Sequence, residues 1–265
     1  MGHPGRTQEI GGSIFVTGAT SGFGLAIARR FAQASDPVAT AERRRERLQT
    51  LFDELGPHTI HALGLDVRDR RPVEDATSAL PAAFAAIDVL VNNAGLAVGL
   101  EPAQAADLDG WEAMVDTNIL GSIYVTHAVL PRMVARNACH VVNVGSTAAS
   151  YPYPGGNVYG ATKAFVRQFS LNSRANFMGR RARVTEIDPG LVGGTAFSSV
   201  RFRDDDARAA GVCHGADALT PEDVADTVYS AATRPARVNI NVIELMQVTQ
   251  AFGPLVVHRG GRDSR

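Results

Sequence analysis

Cysteine is nearly missing from this chain: two residues in 265, Cys139 and Cys213, stand in no CxxC or Cys/His spacing. That pattern excludes a disulfide-stapled scaffold and a thiolate zinc site, and it predicts a reduced intracellular setting with no metal. No apolar run approaches the ~20 residues that a membrane helix needs, and the N-terminal MGHPGRTQE has no apolar signal core. A soluble cytoplasmic protein is expected. Excess charge of one sign is also lacking, since 26 Lys+Arg against 27 Asp+Glu leave a net −1, with the arginines scattered or in short groups such as Arg43-Arg44-Arg45. No basic stripe marks a nucleic-acid surface. Tandem repeats and a second core-forming pattern are missing as well. Apolar content of 45% and charged content of 20% are ordinary for a globular domain, so one α/β domain over residues 1–265 is expected, with small molecules and copies of itself as partners.

What is there is strand, glycine turn, helix. Ile14-Phe-Val-Thr17 breaks into Gly18-Ala-Thr-Ser-Gly-Phe-Gly24, and Leu25 to Ala32 has helical periodicity. This is the order a dinucleotide site requires, with Gly18 for the tight turn, Gly22 for backbone approach to a pyrophosphate and Gly24 for packing of helix on strand. The spacing is GxxxGxG. A second strand, Val38 to Ala41, runs into Glu42-Arg43-Arg44. There an acid accepts from the ribose hydroxyls of NAD, whereas an arginine pairs the 2′-phosphate of NADP. Glu42 favours NAD, and Arg43 and Arg44 keep NADP open; the helix Arg45 to Leu55 follows.

Ala62 to Val67 reads as a third strand ending at Asp66, an acid placed to touch adenine, and Pro72 to Phe84 as one helix. Ile87 to Val91 is almost wholly apolar, as a strand buried on both faces should be, and it ends in Asn92-Asn-Ala-Gly95. One long helix is expected from Trp111 to Met133, with Asp116-Thr-Asn118 inside it. His140 to Val144 and Arg183 to Ile187 are further strands, the latter stopping at Asp188-Pro-Gly190. A polar, glycine-containing lid is placed over 191–218, a helix starts at Thr220-Pro221, and Val238 to Met246 is the last strand before a tail, 251–265. The alternation predicts a single-domain, doubly wound (Rossmann-type) α/β sandwich with a mostly parallel central sheet and helices on both faces.

Between the strand at 140–144 and the next lies Ser146 to Lys163. Tyr159 and Lys163 are four apart, so on a helix starting near Val158 they share one face. An ammonium close to a phenol favours phenolate and pulls its pKa from about 10 towards working pH. Ser146, at a strand's carboxyl end, can meet the phenol over a substrate oxygen. Tyr-x-x-x-Lys alone is common on solvated helices, and the surrounding motifs give it weight.

TGATSGFG (17–24), NNAG (92–95), DTN (116–118), Ser146 with Tyr159-x-x-x-Lys163, and DPG (188–190), in this order, resemble the short-chain dehydrogenase/reductase family over nearly the whole chain. PGGNVYGATKAFVRQFS, PGLVGGT, VNIN and the VTQ…VVHR tail are similar to the bacterial 3-hydroxy acid and serine 3-dehydrogenases, and to sulfoacetaldehyde reductases. The resemblance implies that Tyr159 is the general acid in carbonyl reduction and the base in alcohol oxidation. It implies that Ser146 polarises the substrate oxygen, that Lys163 tunes Tyr159 and binds the nicotinamide ribose, and that Asn118 holds a water leading to solvent. The implied cofactor contacts are Gly18, Thr20, Ser21, Gly22, Phe23 and Gly24 in the turn, and Glu42, Arg43, Arg44, Asp66 and Val67 at the adenosine. They continue with Asn92, Ala94, Gly95, Tyr159 and Lys163, then Pro189, Gly190, Val192 and Thr195. A homotetramer built on the helix around Tyr159 to Ser173, burying Phe165 and Phe169, is implied too.

Glu42 departs from the family group, which has glycine there before its NADP-binding arginine, and Ser21 stands where a further basic residue would. A hydroxy acid needs an anion partner. Arg201 in the lid is the candidate, with Tyr153, His258 and Arg259 behind it. The expected function is interconversion of a small polar alcohol, 3-hydroxy acid or serine-like, and its carbonyl. Reduction of sulfoacetaldehyde or another short aldehyde or ketone, and a non-catalytic dinucleotide-binding regulator, are the alternatives. A serine hydrolase is disfavoured because GSTA is not a G-x-S-x-G elbow.

Overall fold

The structure, a computed structural model, describes residues 9–43, 45–56, 59–203 and 205–253. Arg44 and the tail residues His258 and Arg259 lie outside the described residues. Seven strands, β1 (Ser13–Thr17), β2 (Val38–Glu42), β3 (Ile60–Gly64), β4 (Ile87–Asn92), β5 (Cys139–Val144), β6 (Ala182–Pro189) and β7 (Val242–Leu245), form one sheet in the order β3-β2-β1-β4-β5-β6-β7. Every pairing is parallel. The helices are α1 (Gly22–Gln33), α2 (Arg45–Leu55), α3 (Arg70–Ser78), α4 (Ala82–Ala85), α5 (Leu108–Val115), α6 (Ser122–Ala135), α7 (Asn157–Asn176), α8 (Phe197–Arg201), α9 (Asp206–Gly211) and α10 (Pro221–Ala232).

Alternation along β1 explains the two layers. Ile14 and Val16 turn to one face, where they pack with Ile27 and Phe31 of α1 and Val224 and Val228 of α10. Phe15 turns to the other, among Val125, Val129 and Met133 of α6 and Val73 of α3. All of these side chains are essentially inaccessible, each contributing about 1.5–3 kcal/mol by leaving water. Strand order reverses between β1 and β4, and a doubly wound sheet opens its ligand crevice at the carboxyl ends of strands beside that switch. Thr17, Asn92, Val144 and Pro189 all end strands at that edge.

Four expectations need correction. The third strand stops at Gly64, so Asp66 sits in the loop beyond it, where Leu65 N donates to Glu42 O at 3.0 Å. The helix expected over 72–84 is two, α3 and α4, because Pro81 cannot continue the first and begins the second. The rod from α5 to α6 is interrupted by a π turn at Asp116–Gly121. The last strand is only Val242–Leu245, since ahead of it the Asn239 carboxamide takes the strand's place: it accepts from Val184 N at 2.8 Å and donates to Val184 O at 3.0 Å. At the start of α10, Thr220 and Asp223 form the capping box that the Thr-Pro sequence announces. Among the described residues no helix is long and apolar enough to cross a membrane, and no group of three or more His, Cys, Asp or Glu is placed to hold a metal ion.

Candidate active site

The glycine turn is shaped by close approach. Gly18 has φ +70°, and a Cβ there would fall 3.0 Å from both Ala94 Cα and Asn93 Nδ2; at Gly24 it would fall 2.2 Å from Gly18 O. Thr17 Oγ1 accepts from the N–H groups of Asn93 and Ala94 at 3.0 Å each, tying the ends of β1 and β4 together. The Asn93 carboxamide donates to Thr17 O at 2.9 Å and Gly18 O at 3.1 Å. The N-terminus of α1 opens onto the cleft this leaves, where helix dipole and backbone N–H groups favour a phosphate.

Gly18, Ser21, Gly22 and Phe23 line one end of that cleft, and Glu42, Arg43, Asp66 and Val67 the next stretch. Ala94, Gly95, Tyr159, Lys163 and Thr195 continue it. Other expected contacts lie elsewhere. Thr20 is buried, and Asn92, also buried, donates to Thr126 Oγ1 and Asn143 Oδ1 at 2.8 and 2.9 Å. Gly190 N donates to Leu245 O at 2.8 Å, and Val192 bridges to Leu219; neither, nor Pro189, is on the lining. Asn93, Leu96, Thr117, Gly145, Phe197 and Val200 line the cleft without having been singled out from the sequence. Asn93 was in plain view within NNAG, but nothing in the sequence tells which asparagine turns outward.

At the end of the cleft beside β2, Glu42 Oε1 accepts the N–H of Arg43 at 2.9 Å. The Arg43 guanidinium, 3.9 Å from Asp66, is half exposed at the mouth. Against the upward push of partial burial, Arg68 holds Asp66 below the usual carboxylate range through side-chain and backbone hydrogen bonds, its Nη2 at 2.7 Å.

At the other end α7 presents Tyr159 and Lys163 below the loop that follows β5. Ser146 Oγ accepts from Ala148 N at 3.2 Å, and its hydroxyl acts on the Tyr159 phenol, drawing its pKa down. Burial pushes the Tyr159 phenol up to about 12, against the opposing pull of Ser146 and Arg201. Burial likewise pushes Lys163 down to about 8, opposed by Asp188 and Glu186. Lys163 Nζ donates to Val144 O at 2.8 Å and lies 5.9 Å from the centre of the Tyr159 ring. The sequence spacing predicts an ammonium drawing the phenol down; in the structure desolvation outweighs every downward influence on Tyr159, and Ser146 is the strongest of these.

Asn118 sits in the π turn, a distortion frequent at functional sites. Its Oδ1 accepts from Leu96 N, and its Nδ2 donates to Leu96 O and Thr162 Oγ1, all at 2.9 Å. The side chain thus ties the β4 loop to α7. Across the cleft α8 is tied to the loop after β4: Gly99 N donates to Arg201 O at 2.9 Å. The Arg201 guanidinium stands 5.2 Å from the centre of the Tyr159 ring and donates to the Tyr153 hydroxyl, while its Nε is buried without a hydrogen-bond partner.

A glycine cradle on a helix N-terminus, joined to a half-buried tyrosine and a buried lysine, fits a nicotinamide dinucleotide and defines an oxidoreductase of the doubly wound class. The cradle is the test of fit, because a Cβ at Gly18 or Gly24 would close it. The model of the short chain dehydrogenase family matches residues 13–206, and the chain belongs to that family. It is 58% identical to an NADP-dependent 3-hydroxy acid dehydrogenase, YdfG, of Salmonella typhimurium, over 93% of this chain and 99% of the relative. It is 46% identical to a serine 3-dehydrogenase of Agrobacterium fabrum over 94% and 99%. Among solved structures, the closed form of a serine dehydrogenase complexed with NADP+ superposes with a TM-score of 0.92 at 56% identity, covering 93% of this chain and 99% of that one.

Proposed function

We propose that this chain interconverts a small 3-hydroxy acid or serine-like alcohol and its carbonyl, with Tyr159 as the proton-transferring group, Ser146 holding the substrate oxygen and Arg201 pairing the substrate's anionic end. The observation that carries the reading is the buried, unpartnered Arg201 Nε beside the Tyr159 ring. A guanidinium placed there can pair a carboxylate while the reacting oxygen meets the phenol.

A nicotinamide held in this cleft by the glycine turn and Lys163 would supply or accept the hydride. In the reducing direction Tyr159, kept protonated by burial, gives its proton to the carbonyl oxygen while the Ser146 hydroxyl donates to the same oxygen. The Lys163 ammonium then stabilises the phenolate left behind. In oxidation the same groups run in reverse, with phenolate as base. Cofactor residues are assigned along the cleft lining, with Gly18 to Gly24 at the phosphates, Glu42, Arg43 and Asp66 at the adenosine, and Gly95 and Lys163 at the nicotinamide ribose. Glu42 tilts the choice towards NAD by repelling a 2′-phosphate, while Arg43 retains use of NADP. Phe165 and Phe169, half-buried and stacked at 5.6 Å on α7, support assembly into a homotetramer through that helix.

Initial rates by nicotinamide absorbance test the function, with NAD and NADP each crossed against L-serine, 3-hydroxypropionate and 3-hydroxyisobutyrate, and sulfoacetaldehyde as the reducible comparison. Activity on the hydroxy acids is expected. Silence on every anion with both cofactors bound would overturn the substrate assignment.

A further inference from the structure

Beneath the Tyr159–Lys163 pair lies a charge cluster that the reaction so far leaves without a role. Glu186 and Asp188 stand two apart on β6, leave the same face of the sheet, and are each 0% exposed. Arg167 lies one turn beyond Lys163 on α7. It donates to Asp188 Oδ2 and Ser150 Oγ and brings Nε to 3.5 Å from Glu186 Oε2. Asp188 Oδ1 accepts the N–H of Ser146 at 2.8 Å. Gly145 is required here, since a Cβ would fall 2.0 Å from Asp188 Oδ1 and 2.7 Å from Glu186 Oε1.

Two carboxyl groups out of water face a single, partly exposed guanidinium, and two adjacent buried carboxylates do not both ionise at small cost. Burial, then the neighbouring Asp188, pushes Glu186 up to about 8, and both Glu186 carboxyl oxygens are buried without a hydrogen-bond partner, free to carry a proton towards Asp188. The stable arrangement is one proton between them, carried by Glu186, and one negative charge balanced by Arg167. A well-packed apolar cluster of this volume would be as stable or more so, so the cluster's use has to be sought in what it touches.

We propose that Glu186 and Asp188 form a proton-sharing acid pair, clamped by Arg167, that positions Ser146 through its backbone N–H and holds the buried Lys163 in its ammonium form. The inference rests on the reading of Ser146, Tyr159 and Lys163 as reacting groups, and both acids are positioning residues that never meet substrate. Their charge reaches both members of the reacting pair: it raises Lys163 against the downward push of burial, and Asp188 adds to burial in raising Tyr159. The other groups facing that pair are Ser146 beyond β5, the Val144 carbonyl that ends it, and Tyr153 and Arg201 across the cleft, while Arg167 of α7 acts on the two acids. On the adjoining α5, Asp109 and Glu112 are exposed, and Asp116 of the π turn acts on Arg68.

Removing the shared charge lowers the pKa of both Lys163 and Tyr159, so the alkaline limb of the carbonyl-reduction pH profile moves to lower pH. The full-length protein would be compared with Glu186→Gln, Asp188→Asn and the double variant. Glu186→Gln keeps the charge on Asp188 and a donor towards it, and its limb stays close to wild type. The double variant loses the charge, and its limb moves down by about one unit, with kcat falling more than KM rises. Infrared spectroscopy of the cofactor-free protein at neutral pH gives a second readout that does not depend on turnover or on the double variant folding. A carbonyl band of a protonated buried carboxylic acid is expected in wild type and lost in Glu186→Gln. Survival of that band in Glu186→Gln, or an equal limb shift in Glu186→Gln and the double variant, would overturn the acid pair. A wild-type limb in the double variant, with turnover still dependent on Tyr159, would overturn this proposal alone. Turnover independent of Tyr159 would remove the underlying reading instead.

Discussion

Lys163 Nζ donates to the carbonyl of Val144 at 2.8 Å while its charge sits 5.9 Å from the centre of the Tyr159 ring. The bond fixes the ammonium against the end of β5, at the floor of the cleft, inside a site from which burial would expel its charge. Burial holds Lys163 at about 8 in the folded chain against 10.5 for the free side chain. Between those values the unfolded chain binds more protons than the folded one, so stability rises as pH climbs from about 8 towards 10.5. Tyr159 acts in the opposite sense higher up, because its folded pKa of about 12 exceeds the free value of 10.0, and its contribution is lost as pH rises through that interval. Lys163→Met removes the buried charge. It is expected to melt at or above the wild-type temperature at neutral pH, to lose the rise in stability above about pH 8, and to lose activity. Thermal melts from pH 6 to 11 check the sign, and a variant that melts well below wild type at neutral pH would show that the Val144 bond outweighs the desolvation cost.

Tyr159→Phe deletes the phenol hydroxyl and its interaction with Ser146. The ring remains to pack against Phe197, 5.6 Å away. Turnover is expected to fall by about 10²–10⁴, with cofactor affinity near wild type because the glycine cradle is untouched. Fluorescence titration with NADPH alongside steady-state rates separates the two effects. Full activity in this variant would remove Tyr159 from proton transfer.

Much of this was legible in the chain itself. The apolar β-branched runs marked the strands, because a parallel strand covered on both faces is mostly apolar, even where β5 and β6 carry the buried polar residues His140, Asn143, Glu186 and Asp188. The glycine turn was readable because Gly18 and Gly24 answer to local crowding. Less visible were features set by tertiary neighbours. Asn239 imitates strand pairing only because Val184 lies opposite it. The π turn at Asn118 depends on the Leu96 backbone, 22 residues away, taking both ends of its carboxamide. The phenol's rise follows from burial, which a Tyr-x-x-x-Lys spacing does not encode.

Glu42 is the residue on which the proposed tilt towards NAD rests, in a chain similar to relatives described as NADP-dependent. Its carboxylate caps the N–H of Arg43 at 2.9 Å and keeps a negative charge beside the half-exposed guanidinium. Glu42→Gly removes that charge and leaves Arg43 to pair a phosphate unopposed. The ratio of kcat/KM for NADPH over NADH is expected to rise about tenfold or more, as one hydrogen bond to a charged group is worth about 1.5–3 kcal/mol. Measuring both cofactors with one substrate decides it, and an unchanged ratio would remove Glu42 from cofactor choice.

Arg201 combines two duties that one substitution can separate. Its backbone carbonyl ties the end of α8 to Gly99 at 2.9 Å, a bond that alanine keeps, while its side chain supplies the guanidinium facing Tyr159. If the side chain pairs a carboxylate, Arg201→Ala raises KM for hydroxy acids by about 10- to 100-fold, the equivalent of one charge-assisted contact, and leaves neutral alcohols of similar size alone. Arg201→Lys restores the charge without the planar fork and should recover only part of the loss. Because Arg201 also pulls the Tyr159 phenol downward against burial, the alanine variant's acid limb in alcohol oxidation is expected to move to higher pH. An equal rise in KM for neutral and anionic substrates would assign Arg201 to lid closure alone, and the anion site would then have to be sought elsewhere along the cleft.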